Sequence, residues 1–337
     1  MPLFLPRIGV TMGDPAGVGP ELVLRLLAEP AWRERVVPVV YGNAALLRRV
    51  AAAAQLPWPD DLQVRPGGSA AYVPEVAEPV LLDFPFLEAE TIVPGRVQAT
   101  CGRMAATWIE HAARDAMAGA IAAVVTAPIS KQAIHLAGIP HPGHTEMLAE
   151  LTGAPRTVML FWSPDLIVSL VTIHCALADV PGALTVERVL DTIRLTADAC
   201  RRFGCDGRPI GVLAFNPHAG EHGLFGDEEE RILVPAINAA SAEGIAAVGP
   251  LVPDTAFVED RRSAHAAYVA LYHDQGLIPF KTLAFDEGVN VTLGLPIVRT
   301  SPDHGTAFDI AWRGEANPSS FFAALDCAVL LAGIPAA

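Results

Sequence analysis

The chain has 337 residues, 52% hydrophobic and 18% charged, with a formal net charge of −14, so it can bury a large two-lobed core and suits neither nucleic acid nor an anionic membrane. A small phosphorylated ligand remains compatible, because it needs only a local basic pocket. Five cysteines without a CxxC pair indicate neither a zinc ribbon nor a disulfide framework, and with no cleavable apolar leader and no membrane-length apolar run the expectation is a soluble cytoplasmic protein.

Residues 8–12 (IGVTM) read as a buried strand, followed by GDPAGVG and a helix opened by Pro20. That glycine-rich turn allows two readings, an anion seat at a helix N-terminus or a tight βα turn without a ligand, and its spacing matches neither a Rossmann fingerprint nor a P-loop. A second strand (36–43) and helix (44–54) continue the alternation of a parallel sheet. Residues 57–95, rich in Pro and Gly, read as irregular. A long helix over 97–118, the strand AIAAVVTAP and the capped helix SKQAIHLAG follow, and then HPGHTEMLAELTG places His144 and Thr145 at another helix start. Two amphipathic helices are expected over 183–203 and 227–243.

Three apolar strand-like runs end in histidine: LIVSLVTIH at His174, IGVLAFNPH at His218 and AYVALYH at His273. In open α/β sheets, ligands bind beyond the carboxyl ends of strands. Three imidazoles from such ends suit a catalytic metal with open positions, although they lack the short spacing of a HExxH helix. Asp254, in GPLVPDTAF just before the third histidine, is a base, an orienter or a turn residue. In residues 270–309, His273, Asp274, Lys281, Asn290, Arg299 and His304 interrupt apolar sequence, which is costly unless each has a partner. Lys281 is one of only two lysines in the chain. It binds an anion, moves a proton, or snorkels from a half-buried strand.

VTMGDPAGVGPE, TAPISKQAIHLAGIPHPGHTE, FNPHAGEHGLFGDEE, GPLVPDTAF and YHDQGLIPFK…GVNVTLGLPIVRTSPDHGTAFDIA, in order over nearly the whole chain, resemble the 4-hydroxythreonine-4-phosphate dehydrogenase family of pyridoxal phosphate biosynthesis. The resemblance implies the two-lobed α/β/α fold of the isocitrate and isopropylmalate dehydrogenases. The expected lobes are 1–125 with 300–337, carrying the cofactor loop, and 126–299, carrying metal, substrate and dimer elements. It also implies a homodimer with a shared active site, an NAD cofactor (NADP left open), and one divalent ion per site, zinc, magnesium or cobalt. By motif, His144, Thr145, Lys281, Asn290 and Arg299 bind substrate, and His174, His218 and His273 bind the metal. His174 and His218 are then expected from one subunit and His273 from the other. HGTAFDIA followed by ANPSSFF also resembles the adenosine-binding loop of the isopropylmalate dehydrogenases, which suggests His304, Gly305 and Asn317 as cofactor contacts. Trp312 stands where that loop usually continues with Gly.

The implied reaction is oxidation of 4-phosphonooxy-L-threonine at C3, followed by loss of CO2 to give 3-amino-2-oxopropyl phosphate. Lys281, Asp274 and Asp254 are the candidates for proton transfer. Related phosphorylated hydroxyacids, 4-phospho-threonate and 4-phospho-erythronate, are the nearest alternative substrates. An acyltransferase of the phosphate acetyltransferase type would leave the three strand-end histidines without a purpose, and a metal-dependent hydrolase would leave HGTAFDIA without one.

Overall fold

The computed structural model describes residues 5–72 and 78–334. The chain forms two compact units, Met1–Thr157 with Leu295–Ala337, and Val158–Gly294. Its strands are β1 (Arg7–Thr11), β2 (Val37–Gly42), β3 (Gln63–Pro66), β4 (Val80–Asp83), β5 (Ala123–Thr126), β6 (Val158–Trp162), β7 (Ile167–Leu170), β8 (Ile210–Leu213), β9 (Ala247–Leu251), β10 (Ala267–Ala270), β11 (Val289–Leu293) and β12 (Arg299–Pro302).

In the first unit the strand order is β3-β4-β2-β1-β5-β12, and the paired strands run parallel. β2 and β5 are buried along their whole length, as strands covered on both faces are, which is why they read as continuous apolar runs. The first unit reaches further than the expected 1–125 with 300–337, because residues 126–157 and 295–299 belong to it. β5 pairs with β1 and β12, and the helix Lys131–Leu136 packs on the helix Ala99–Met117. Gly102 permits that approach: a Cβ there would stand 2.2 Å from the Ala133 carbonyl oxygen.

In the second unit the order is β11-β6-β7-β10-β8-β9, antiparallel at β11–β6 and β6–β7 and parallel from β7 to β9. Alternation along β10 divides its side chains between two cores. Val269 joins the core containing Val189, Ile193 and Leu233, while Tyr268 and Ala270 join the one containing Leu277 and Phe280. The helices Val186–Arg202 and Val234–Ala242 fill the first core and the helix His273–Ala284 the second.

Two sequence expectations change. Residues 57–95 contain β3 and β4, whose four-residue runs are too short for periodicity to mark. LIPFKTLAF is helical, so Lys281 stands on the His273–Ala284 helix and not on a strand.

Candidate active site

In the first unit, a buried cation stands where β12 begins and β5 ends. Arg299 opens β12, is 3% exposed, and donates from Nε and Nη2 to Thr126 Oγ1 at 3.2 and 2.7 Å. Thr126 is the last residue of β5. Burial pushes the Arg299 guanidinium down to about 9, opposed by Glu146, and leaves it a cation at neutral pH. His144 begins the helix His144–Thr152, and its Nε2 is buried without a partner among the described residues. Burial, then the charges of Arg299 and Lys131, hold its pKa well below the usual histidine value, so the ring is neutral. A buried, unpartnered ring nitrogen beside two cations calls for a ligand group, and an anion matches that charge. Thr145 follows in the same helical turn, half-buried. Sequence reasoning gave no role to Thr126 or Lys131. Lys131 carried a signal, as the other of the two lysines and the first residue of a helix capped by Ser130.

The second unit holds the histidines. β7, β10 and β8 are parallel neighbours, and His174, His273 and His218 each follow the carboxyl end of one of them. The rings of His174 and His273 lie 5.9 Å apart, centroid to centroid, a gap that one ion about 2 Å from a nitrogen of each can bridge. Asp274 Oδ1 lies 2.7 Å from His273 Nδ1, which turns Nε2 outward as a donor for a metal. Among the described residues no three His, Cys, Asp or Glu side chains gather into a metal site, so His218 stands apart from this pair.

His218 is exposed on a turn in which five successive residues, 218–222, have φ between 45° and 77°. Left-handed backbone costs roughly 1–2 kcal/mol for each non-glycine residue, so the turn needs an anchor. Buried Glu229 supplies it, accepting from the Phe215 and Asn216 amides at 2.8 and 2.7 Å and from Asn216 Nδ2 at 2.9 Å.

Lys281 is half-buried two turns beyond His273, about 12 Å along the helix axis and about 80° around it. Asn290 on β11 buries its Oδ1 without a partner among the described residues. Asp254 is exposed in the first turn of the short helix Pro253–Ala256, beyond β9 at the far edge of the sheet. Of the carboxylates proposed from sequence, Asp274 is therefore the one bonded to a metal-candidate imidazole.

The glycine-rich N-terminal turn resolves as a packing seat. Ala16 N–H donates to Asp14 Oδ1, Gly17 N–H to Asp14 O and Val18 N–H to Thr306 O, which leaves these amides no role in holding an anion. A Cβ on Gly17 would meet Thr306 O at 2.8 Å, so glycine lets the 304–317 segment lie against this turn. Glu21, fully buried, faces the amides of Trp312, Gly314 and Ala316; its pKa is raised by burial, against the pull of those amides and Arg25. Trp312 takes φ 63° in place of the expected glycine and donates from Nε1 to Pro15 O at 2.9 Å. His304, Gly305 and Asn317 are exposed on the segment so anchored, and a Cβ at Gly305 would meet nothing within 4 Å.

The fold is the α/β fold of the isocitrate and isopropylmalate dehydrogenase type. A β-decarboxylating dehydrogenase from Thermococcus kodakarensis shares this fold alone, with TM-score 0.50 at 14% identity over 97% of this chain and 82% of that one. The chain belongs to the family described as pyridoxal phosphate biosynthetic protein PdxA, whose model matches residues 34–328. It is 48% identical to the 4-hydroxythreonine-4-phosphate dehydrogenase of Geobacter metallireducens, over 99% of this chain and 98% of that protein. It is 42% identical to the D-threonate 4-phosphate dehydrogenase of Pectobacterium atrosepticum, over 96% and 98%. The crystal structure of 4-hydroxythreonine-4-phosphate dehydrogenase from Klebsiella pneumoniae superposes with TM-score 0.87 at 42% identity, covering 98% of this chain and 99% of that one.

Proposed function

We propose that the chain oxidises 4-phosphonooxy-L-threonine at C3 with NAD and releases CO2, yielding 3-amino-2-oxopropyl phosphate for pyridoxal phosphate biosynthesis. The observation that carries this reading is the cluster in which the buried, unpartnered His144 Nε2 stands beside Arg299 and Lys131. In it, Arg299 and Lys131 counter the charge of the substrate and neutral His144 donates or accepts a hydrogen bond without adding charge. Asn290 orients the substrate through its buried carboxamide oxygen.

His174 and His273 fit a divalent cation by their separation and by the Asp274 bond that sets the His273 tautomer. When bound, the cation supplies Lewis acidity at the reacting oxygen, and NAD, carried on the loop with His304, Gly305 and Asn317, supplies the hydride acceptor. Lys281 handles the proton of the C3 hydroxyl, while Asp274 holds His273 in place and Asp254 takes no direct part. The third metal ligand, His218, comes from a second copy of the chain. Its exposed turn carries Leu224 and Phe225, 70% and 50% exposed, and Ile278 and Phe285 on or beside the Lys281 helix are also exposed, an apolar surface suited to a homodimer. This divides the ligands differently from the sequence expectation, since His273 pairs with His174 in one chain.

The 42% identity to a D-threonate 4-phosphate dehydrogenase supports a second reading, in which D-threonate 4-phosphate is the substrate. An NADH-production assay over both compounds, with and without chelator, separates the two. The proposal expects turnover of 4-phosphonooxy-L-threonine by the metal-loaded enzyme and its loss on chelation. Turnover of D-threonate 4-phosphate alone would reassign the substrate, and undiminished rates after chelation would remove the metal.

A further inference from the structure

The helix Val186–Arg202 ends in a Schellman motif. Gly204 takes φ 69°, its N–H donates to Arg201 O at 3.1 Å, and Cys205 N–H reaches back to Cys200 O at 2.9 Å. In this motif the side chains at the two ends of the longer bond touch, usually as an apolar contact. Here both are thiols, with Cys205 Sγ 3.5 Å from the Cys200 carbonyl oxygen. Cys200 is 1% exposed but borders a solvent-open cavity of about 290 Å³, also lined by Arg201 and Arg208; Cys205 is half-buried.

We propose that Cys200 and Cys205 form a reversible dithiol–disulfide site whose substrate is a hydroperoxide. The helix-ending geometry holds the two side chains together whether or not the active site is occupied, so the proposal stands apart from the function assigned above. The Cys205 thiolate attacks one peroxide oxygen, the O–O bond breaks, and with a proton taken up the leaving oxygen departs as water, or as an alcohol from an alkyl hydroperoxide. The Cys200 sulfur then displaces hydroxide from the Cys205 sulfenic acid; its proton completes a second water, and two thiols have become one disulfide. A hydrogen bond from the Cys200 thiol lowers Cys205 to about 7 against the effect of burial, with Arg208 assisting and the neighbouring Asp206 opposing, so thiolate is available at neutral pH. Cys101 and Cys327 are buried, and burial raises both thiols, Cys101 to about 12, which leaves them unreactive.

Arg201 and Arg202 lie between the two cysteines, so trypsin separates them unless they are bridged. Fully reduced enzyme treated with one equivalent of hydrogen peroxide, then alkylated and digested, is expected to yield a Cys200–Cys205 cross-linked peptide pair that dithiothreitol releases. In Cys200→Ser, Cys205 should be trapped by dimedone as sulfenic acid. In Cys200→Ala the midpoint of Cys205 alkylation with pH should rise by about 1–2 units. The wild-type map does not depend on either variant folding. Full alkylation of both cysteines after peroxide, or a cross-link seen only when peroxide is added in denaturant, overturns the proposal. An unchanged alkylation midpoint in Cys200→Ala removes the activating contact and the proposal with it.

Discussion

His144 and Asp14 pull the stability of the fold in opposite directions over one pH window. An unfolded histidine titrates near 6.5, whereas folded His144 holds its proton only well below that, so its stability contribution is present above about 6.5 and is lost as pH falls. Asp14, buried in the N-terminal turn, is raised by burial to about 6 from an unfolded value near 3.9; its contribution is present at low pH and is lost as pH rises through 6. Urea unfolding at pH 7 and pH 5 checks both. The stability of wild type relative to His144→Gln should fall on acidification, and relative to Asp14→Asn it should rise; a flat difference in either case means the group is not buried as described. Arg299→Lys tests the buried cation, because it keeps the charge and loses the fork that grips Thr126. The expected effect is a roughly 10–100-fold fall in kcat/KM for the phosphorylated substrate with little change in Tm, read from steady-state kinetics beside a thermal melt. Arg299 and Asn290 stood out in the sequence because a polar group in apolar sequence demands a reason, and His144 because it stands at a helix start. Thr126 did not, since a threonine ending an apolar strand is ordinary.

The left-handed turn at 218–222 is the element on which His218 depends, and Glu229 is what holds it. Glu229→Gln keeps the shape but removes the charge accepting the two amides, a loss of about 1.5–3 kcal/mol spent mostly in that turn. Metal affinity should drop about 10–100-fold, measured by competition with a chromogenic chelator, while the far-ultraviolet circular dichroism stays that of wild type. Unchanged affinity would mean that His218 needs no such support. This turn could not be foreseen, because four of its five residues are not glycine and nothing in NPHAGEH marks positive φ. The strand-to-histidine pattern was visible for the opposite reason: β7, β8 and β10 are continuous buried runs, and each His comes three to five residues after its strand ends. Lys281 stands on a helix, where the snorkelling alternative had placed a half-buried strand. An apolar run carrying one charge reads equally as strand or helix, and Leu277 and Phe280 settle it by packing against the sheet as one face of a helix.

At the scale of the whole molecule, two imidazoles meet within one chain and the third stands exposed on an anchored turn among apolar side chains. If each site takes His174 and His273 from one protomer and His218 from its partner, the pattern of rescue between inactive variants is determined. Co-expressed His174→Ala and His218→Ala chains form heterodimers in about half the population, by random association across a two-fold interface. Each such heterodimer has one site with both lesions and one with none, so activity should return to about a quarter of the wild-type value. His174→Ala with His273→Ala should give nothing, because both lesions fall on the same protomer's share and every heterodimer site lacks one ligand. Differential tags on the two chains confirm that heterodimers form. Rescue by the His174 and His273 pair, with none by the His174 and His218 pair, would restore the division expected from sequence motifs. Silence in both mixtures would place all three ligands in one chain.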